Sequence, residues 1–285
     1  MQKYLNLRLT LIILFLFVSN LNSQILQEFN LSPKLNEISG LEILGENILA
    51  HADSNNSSTI FLLNVKGEII KEKTFENLLN HDWEDITKDQ DFFYIADTGN
   101  NYDTRKNLRI LKFSIKDLKF QGEIKFSYPE QTIFEYNYKS QFDSEGLITF
   151  DNKLIIFTKN RLKNNTHVYE LPNYPGSFSA KKIGQIETNA IITGADFHED
   201  SKTLALTGTK NFKNYSLLII ENFSISPISY KQIKSMSSPS VKEPVSLRAL
   251  FYSRYLLPNI LVSHKFQFFF KNMIFVIFFI EVVKY

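Results

Sequence analysis

The chain has 285 residues, 44% hydrophobic and 22% charged, which is globular material: too long for a disulfide-stapled mini-protein and too apolar for disorder. Its 32 basic and 30 acidic residues exclude the strong basicity that would make nucleic acid a default partner. The absence of cysteine excludes a disulfide framework, a thiolate metal site and a cysteine nucleophile.

The first segment has the layout of an export signal. Lys3 and Arg8 flank the start of an apolar run over residues 10–18, TLIILFLFV, and a short polar stretch, SNLNSQ, follows from Ser19 to Gln24. Residues 1–23 are therefore expected to be a signal peptide, because the uncharged run from Leu9 to Ser23 falls short of the roughly 20 residues a spanning helix needs. The expected destination is the periplasm or the extracellular space, with no stable membrane span. Without a cysteine near the cleavage point there is no lipid attachment site.

From Gln24 onward, short β-branched and aromatic runs alternate with Asn, Asp, Gly and Lys, as strands alternate with turns. Residues 25–31, ILQEFNL, read as a single strand ahead of a repeat. The first copy of that repeat runs EISGLEIL, ENILAHADSNN, TIFLLNV and EIIKEKTF between Glu37 and Phe75. The second is DWEDITK, DFFYIADTGNN, LRILKFSI and GEIKFSYP between Asp82 and Pro129, and the third begins DSEGLITF at Asp143. The fourth begins TGADFHED at Thr193. Superposing Gly40-Leu41, Asp85-Ile86, Gly146-Leu147 and Ala195-Asp196 spaces the units by 45, 61 and 49 residues. Four strands per unit at such a period predict an all-β fold, a β-propeller of four-stranded antiparallel blades. Four intact blades are visible, as in a truncated six-bladed ring, with the first strand of each lining the channel.

The propeller domain is expected over 24–243, where 25 basic residues meet 29 acidic ones, and residues 244–285 differ abruptly, with five basic residues and only Glu281 acidic. This Phe-rich tail reads as a transmembrane anchor, a docked helix, or the product of a lost reading frame near Ser246. The uncharged run from Asn272 to Ile280 is too short to span a membrane, and the frame-loss reading is preferred. On it, residues 247–285 form no blade and the ring stays open beside Ile25–Leu31.

Chemistry is expected where first strands enter the channel, because Glu37, Asp82, Glu84, Asp85, Asp143, Glu145 and Asp196 gather there and repel one another unless a cation intervenes. An oxygen-only donor set of this kind suits Ca²⁺ or Mg²⁺. The ends of second strands add Asp53, Asn55 and Asn56 in the first unit, Asp97, Asn100 and Asn101 in the second, Lys159 and Asn160 in the third, and Lys210 and Asn211 in the fourth. Asp82, Asp85, Asp97, Asn100, Arg105, Asp143 and Lys159 are the candidate ligand-binding set, and Glu84, Glu145, Asn101 and Asp196 the candidate metal ligands. For Asp97, Gly99 and Asn100 turn formation competes with ligation, since Asp and Asn bond their own backbone and Gly supplies positive φ. Trp83, the sole tryptophan, is expected between blades. No zinc pattern, nucleophile elbow or phosphate-cradling loop occurs, so catalytic residues stay unassigned.

With EISGL, DWEDI, IADTGNN followed by Arg105, DSEGL and TGAD in view, the chain resembles a family of exported Bacteroidetes-type β-propellers of unknown function. More distantly it is similar to six-bladed calcium-dependent propellers of the gluconolactonase, paraoxonase and strictosidine-synthase type, and to NHL propellers. That resemblance implies a metal-binding glutamate at Glu145-Gly146, with Asn101 and Asp196 as candidate companions, and hence Ca²⁺ as cofactor. Two functions follow: a secreted propeller binding a small molecule or protein at its channel face without turnover, or a divalent-metal-dependent esterase or lactonase with Glu145 and Glu84 as ligands.

Overall fold

The computed structural model describes residues 24–285 apart from 164, 211–213, 226–227, 230–232, 239–246, 254–262, 270–273 and 280–285. The expected signal peptide at 1–23 lies outside the described residues. Apart from a single 3₁₀ turn at Pro33–Leu35, regular structure among the described residues is all strand. Among the described residues, no helix is long and apolar enough to cross a membrane.

The four repeats are four antiparallel blades, as the sequence predicts. Blade one comprises Ile38–Leu44, Asn47–Ala52, Thr59–Leu63 and Ile69–Thr74. Blade two comprises Trp83–Lys88, Phe92–Asp97, Arg109–Ser114 and Phe120–Ser127. Blade three uses Ser144–Phe150, Lys153–Thr158, Thr166–Pro172 and Lys181–Ile186; blade four uses Ile191–His198, Thr203–Lys210, Asn214–Ile220 and Ile233–Ser238. The loop inside blade three also lends Gly176–Ser179 as a parallel strand to the outer edge of blade two, in register with Ile124–Ser127.

Consecutive blades pack face to face, and the period of two in each strand decides which neighbour a side chain meets. On the second strand of blade two, Phe93 and Ile95 join Leu49, Ile60, Trp83 and Phe113 between blades one and two. The intervening Tyr94 and Ala96 join Ile110, Leu147, Ile156 and Tyr169 between blades two and three. Both faces are apolar, so FFYIA reads as an unbroken hydrophobic run rather than an alternating one. Trp83 is fully buried with its indole edge-on to the His51 ring, which places it between blades as expected.

The expectation of an open ring is corrected. Leu247–Ser253, Ser263–Phe269 and Ile274–Phe279 form a further antiparallel sheet, and Gln24–Asn30 is its fourth strand, paired from Gln24↔Phe279 to Asn30↔Ile274. The strand Leu247–Ser253 packs against the inner strands of blades four and one, so among the described residues the ring closes. The tail has neither the repeat motif nor its Asp and Gly turn signals, but its Phe, Ile and Val runs have high strand propensity. Closure also removes two exposed sheet edges at once.

Each inner strand of the four repeat blades carries a bulge at an equivalent place. The register with the second strand shifts between Ile38 and Gly40, Trp83 and Asp85, Ser144 and Gly146, and Ile192 and Gly194. The extra residues are Ser39, Glu84, Glu145 and Thr193, all buried. The bulges also correct the fourth alignment by one residue: Gly194-Ala195, not Ala195-Asp196, corresponds to Gly146-Leu147.

Candidate functional site

Within each blade, the start of the first strand and the end of the second lie at one end of the sheet, because the two strands are antiparallel. That end carries the bulge residues and the Asp- and Asn-rich turns, and it forms the polar mouth of the channel.

Three carboxylates meet there. Asp53 follows the second strand of blade one, and Asp82 and Glu84 bracket Trp83 at the start of blade two; one oxygen from each lies within 4.8 Å of the others. Gly99, in the next turn, sits so close that a Cβ would run into the carboxylates of Asp82 and Glu84. Burial and the neighbouring charges of Asp53 and Asp143 push the Asp82 carboxyl up to about 7, against the opposing pull of Arg105. Asn101 Nδ2 reaches Asp82 Oδ2 at 3.5 Å. This is an all-oxygen cluster with excess negative charge, and its donor set fits a hard divalent cation, the remaining ligands coming from water or a bound molecule.

Around the trio, the other acids are matched by cations. The fully buried Asp97 receives Arg105 and Arg109, each at 2.9 Å, and its Oδ1 also accepts the Asp82 amide at 3.1 Å. Asn100 acts as a turn residue: its amide donates to Asp143 Oδ1 at 2.7 Å and its Oδ1 accepts the Arg105 amide at 2.9 Å. Asp143 takes Arg161 at 2.5 Å, and the same guanidinium donates to Asn101 Oδ1 at 2.6 Å. Lys159 is ion-paired with the bulge residue Glu145. Burial opposes the charge on Lys159, but the Glu145 and Asp143 carboxylates outweigh it and hold the ammonium above the usual lysine range.

Asp85 is used differently. Its Oδ1 accepts the Ile86 amide at 2.9 Å, and its Oδ2 accepts the Leu147 amide at 2.9 Å and the Ala195 amide at 3.3 Å. Ile86, Leu147 and Ala195 are the equivalent residues of blades two, three and four, each two past its bulge residue. The inner edge of a first strand has no further strand to pair with, so a single carboxylate gathers the amides of three blades. Blades one, three and four have Gly40, Gly146 and Gly194 at the position Asp85 occupies in blade two.

Of the candidate metal ligands, Glu84 belongs to the carboxylate trio and Asn101 adjoins it, whereas Glu145 belongs to the Lys159 pair. Asp196 lies three residues beyond the bulge residue Thr193 of blade four, where it accepts the amide of Phe197 at 2.9 Å, and it is not among the carboxylates that converge. Sequence reasoning placed Asp53 at the channel without making it a ligand, and it missed Arg161 and Arg109. Arg161 was findable, since it follows Asn160 at the end of the second strand of blade three, the place Asn101 holds in blade two. A cleft of about 460 Å³ lies away from the trio, at the outer part of blade two between Arg109, Lys125, Phe126 and Phe178. No protein-family model matches the chain, and no curated protein matches it.

Proposed function

We propose that this chain is an exported binding module whose propeller mouth takes a divalent cation, with Ca²⁺ the best fit, and through it an oxygen-rich ligand. The observation that supports the reading is the convergence of Asp53, Asp82 and Glu84 within 4.8 Å. Burial and mutual repulsion leave Asp82 taking up a proton near neutral pH, and a cation would supply the same compensation. Asp53, Asp82 and Glu84 would hold the ion, which on binding supplies an attachment point for ligand hydroxyl or carboxyl oxygens. Binding is favoured over hydrolysis because Glu145 is engaged by Lys159 and Asn101 Oδ1 by Arg161, so two of the ligands an esterase or lactonase site would need are already committed.

A calcium titration of the melting temperature tests this. With three carboxylates and an open site, an affinity of about 0.1–1 mM is expected, in the range of extracellular calcium modules. At about 10 mM Ca²⁺ the tighter limit stabilises the fold by about 2.7 kcal/mol through linkage. Asp82→Asn and Glu84→Gln should each abolish the response. A wild-type melting temperature unmoved by Ca²⁺, Mg²⁺ and Mn²⁺ would refute the cation reading.

A further inference from the structure

Beside the mouth the protein displays aromatic rings to solvent. Tyr102 is 47% exposed, and Tyr136 and Tyr138, on the long connection between blades two and three, are 71% and 68% exposed. The Tyr102 and Tyr136 rings stack with centroids 4.5 Å apart and planes 20° from parallel, forming a shelf. Tyr102 directly follows Asn101, the residue that touches both Asp82 and Arg161. The connection is tied to the mouth a second time by the Arg161 amide, which donates to the Ser140 carbonyl at 2.9 Å.

A buried carboxylate holds this shelf in place. Asp103, with a left-handed φ of 58°, accepts from Ser140 Oγ at 2.6 Å, Asn137 Nδ2 at 2.9 Å, the Phe142 amide at 3.0 Å and the Gln141 amide at 3.1 Å. The Tyr102 carbonyl accepts the Asn137 amide at 3.0 Å, which locks the two ring-bearing segments together. A loop so firmly held, whose large side chains point to water, is preorganised for contact rather than for its own packing.

We infer that the outer face of Tyr136, backed by the stacked Tyr102 ring, is a saccharide-binding platform, on which a sugar ring lays its C–H face while its hydroxyls reach toward Asn101 and the carboxylate mouth. Tyrosine suits such a ligand because it offers an apolar face with a polar edge. Nucleic-acid bases also stack on aromatic rings, but Asp53, Asp82 and Glu84 beside the shelf would repel their phosphates. A protein partner would need a contiguous apolar centre in an interface of about 1,000 Å² or more, whereas here the rings are interrupted by Asn101, Asn137 and Lys139. The inference deepens the binding function and rests on it for the direction in which the ligand extends.

The test is electrophoresis of the full chain through native gels cast with a neutral β-glucan, a xylan or an α-mannan, with calcium and with chelator. At least one polysaccharide should retard the wild type. Tyr136→Ala should weaken that retardation about five- to ten-fold while leaving the calcium-dependent melting intact. Tyr174→Ala, which removes an exposed tyrosine at the outer edge of the molecule, should leave it unchanged. Retardation by none of the three polymers, or equal retardation of wild type and Tyr136→Ala, overturns the inference. A wild type that is retarded but shows no calcium response overturns the cation reading alone, leaving the shelf standing.

Discussion

Asp85→Ala is the substitution that most directly tests how the ring is held together. It removes the acceptor for the amides of Ile86 and Leu147 at 2.9 Å and of Ala195 at 3.3 Å, which lie on the inner strands of three different blades. A buried amide left without an acceptor costs about 1–3 kcal/mol, so three would cost roughly 3–9 kcal/mol. The variant also sheds the desolvation cost of the carboxylate, and water can enter the space left by the side chain, which brings the expected net loss to about 3–4 kcal/mol. Against a total stability of about 5–15 kcal/mol this is a large fraction. Urea unfolding followed by far-ultraviolet circular dichroism should show the midpoint falling by about 1–1.3 M, given a slope near 3 kcal/mol/M. Asp85→Asn should fall between the two, because its amide group can offer an oxygen to one side but must turn N–H groups toward the other. A loss below about 1 kcal/mol for Asp85→Ala would mean that water satisfies these amides unaided and that the carboxylate does not bind the blades together. Weakened ligand binding at unchanged stability would return Asp85 to the ligand-binding role expected from its position.

Two further outcomes follow. Because Asp82 is raised to about 7 from an ordinary 3.8, the native state binds its proton more tightly than the unfolded chain does. Its stabilising contribution is therefore complete below about pH 4 and is lost as pH rises toward 7. The stability difference between wild type and Asp82→Asn, measured by melting across pH 4–8 without divalent cations, should vary over that window, and a constant difference would contradict it. Deleting residues 247–285 removes Ile274–Phe279, the strand that pairs with Gln24–Asn30, together with the other two strands of the closing sheet, so the truncated chain should lose its cooperative melting transition and aggregate through unpaired edges. A truncated chain that still melted cooperatively would show that the four repeat blades stand without closure.

The repeat was legible because blade identity is a local property. A run such as FFYIAD followed by TGNN carries strand propensity, two-sided burial and turn chemistry within a dozen residues, and the first strands begin at Ile38, Trp83, Ser144 and Ile191, within two residues of where the repeat puts them. That polar residues would gather at the channel mouth was legible for the same reason. Their partners were not, because ion pairs such as Asp143–Arg161 and Glu145–Lys159 depend on how neighbouring strands are offset, and a one-residue bulge has no compositional signature. Blade four is the clearest case: only its bulge between Ile192 and Gly194 shows that Gly194, not Ala195, stands where Gly146 does, which leaves Asp196 farther along the strand than the sequence alignment puts it.

Sequence by itself determined the strands of the four repeats, the four-fold repetition and the polarity of one end, since periodicity and turn chemistry act over a few residues. Tertiary structure alone decided that Asp53 joins Asp82 and Glu84, that Asp85 serves three blades, and that the ends of the described chain close the ring. Each of these is a meeting of groups distant in the chain, and two of them rest on backbone hydrogen-bonding groups, which every residue carries and no residue type announces.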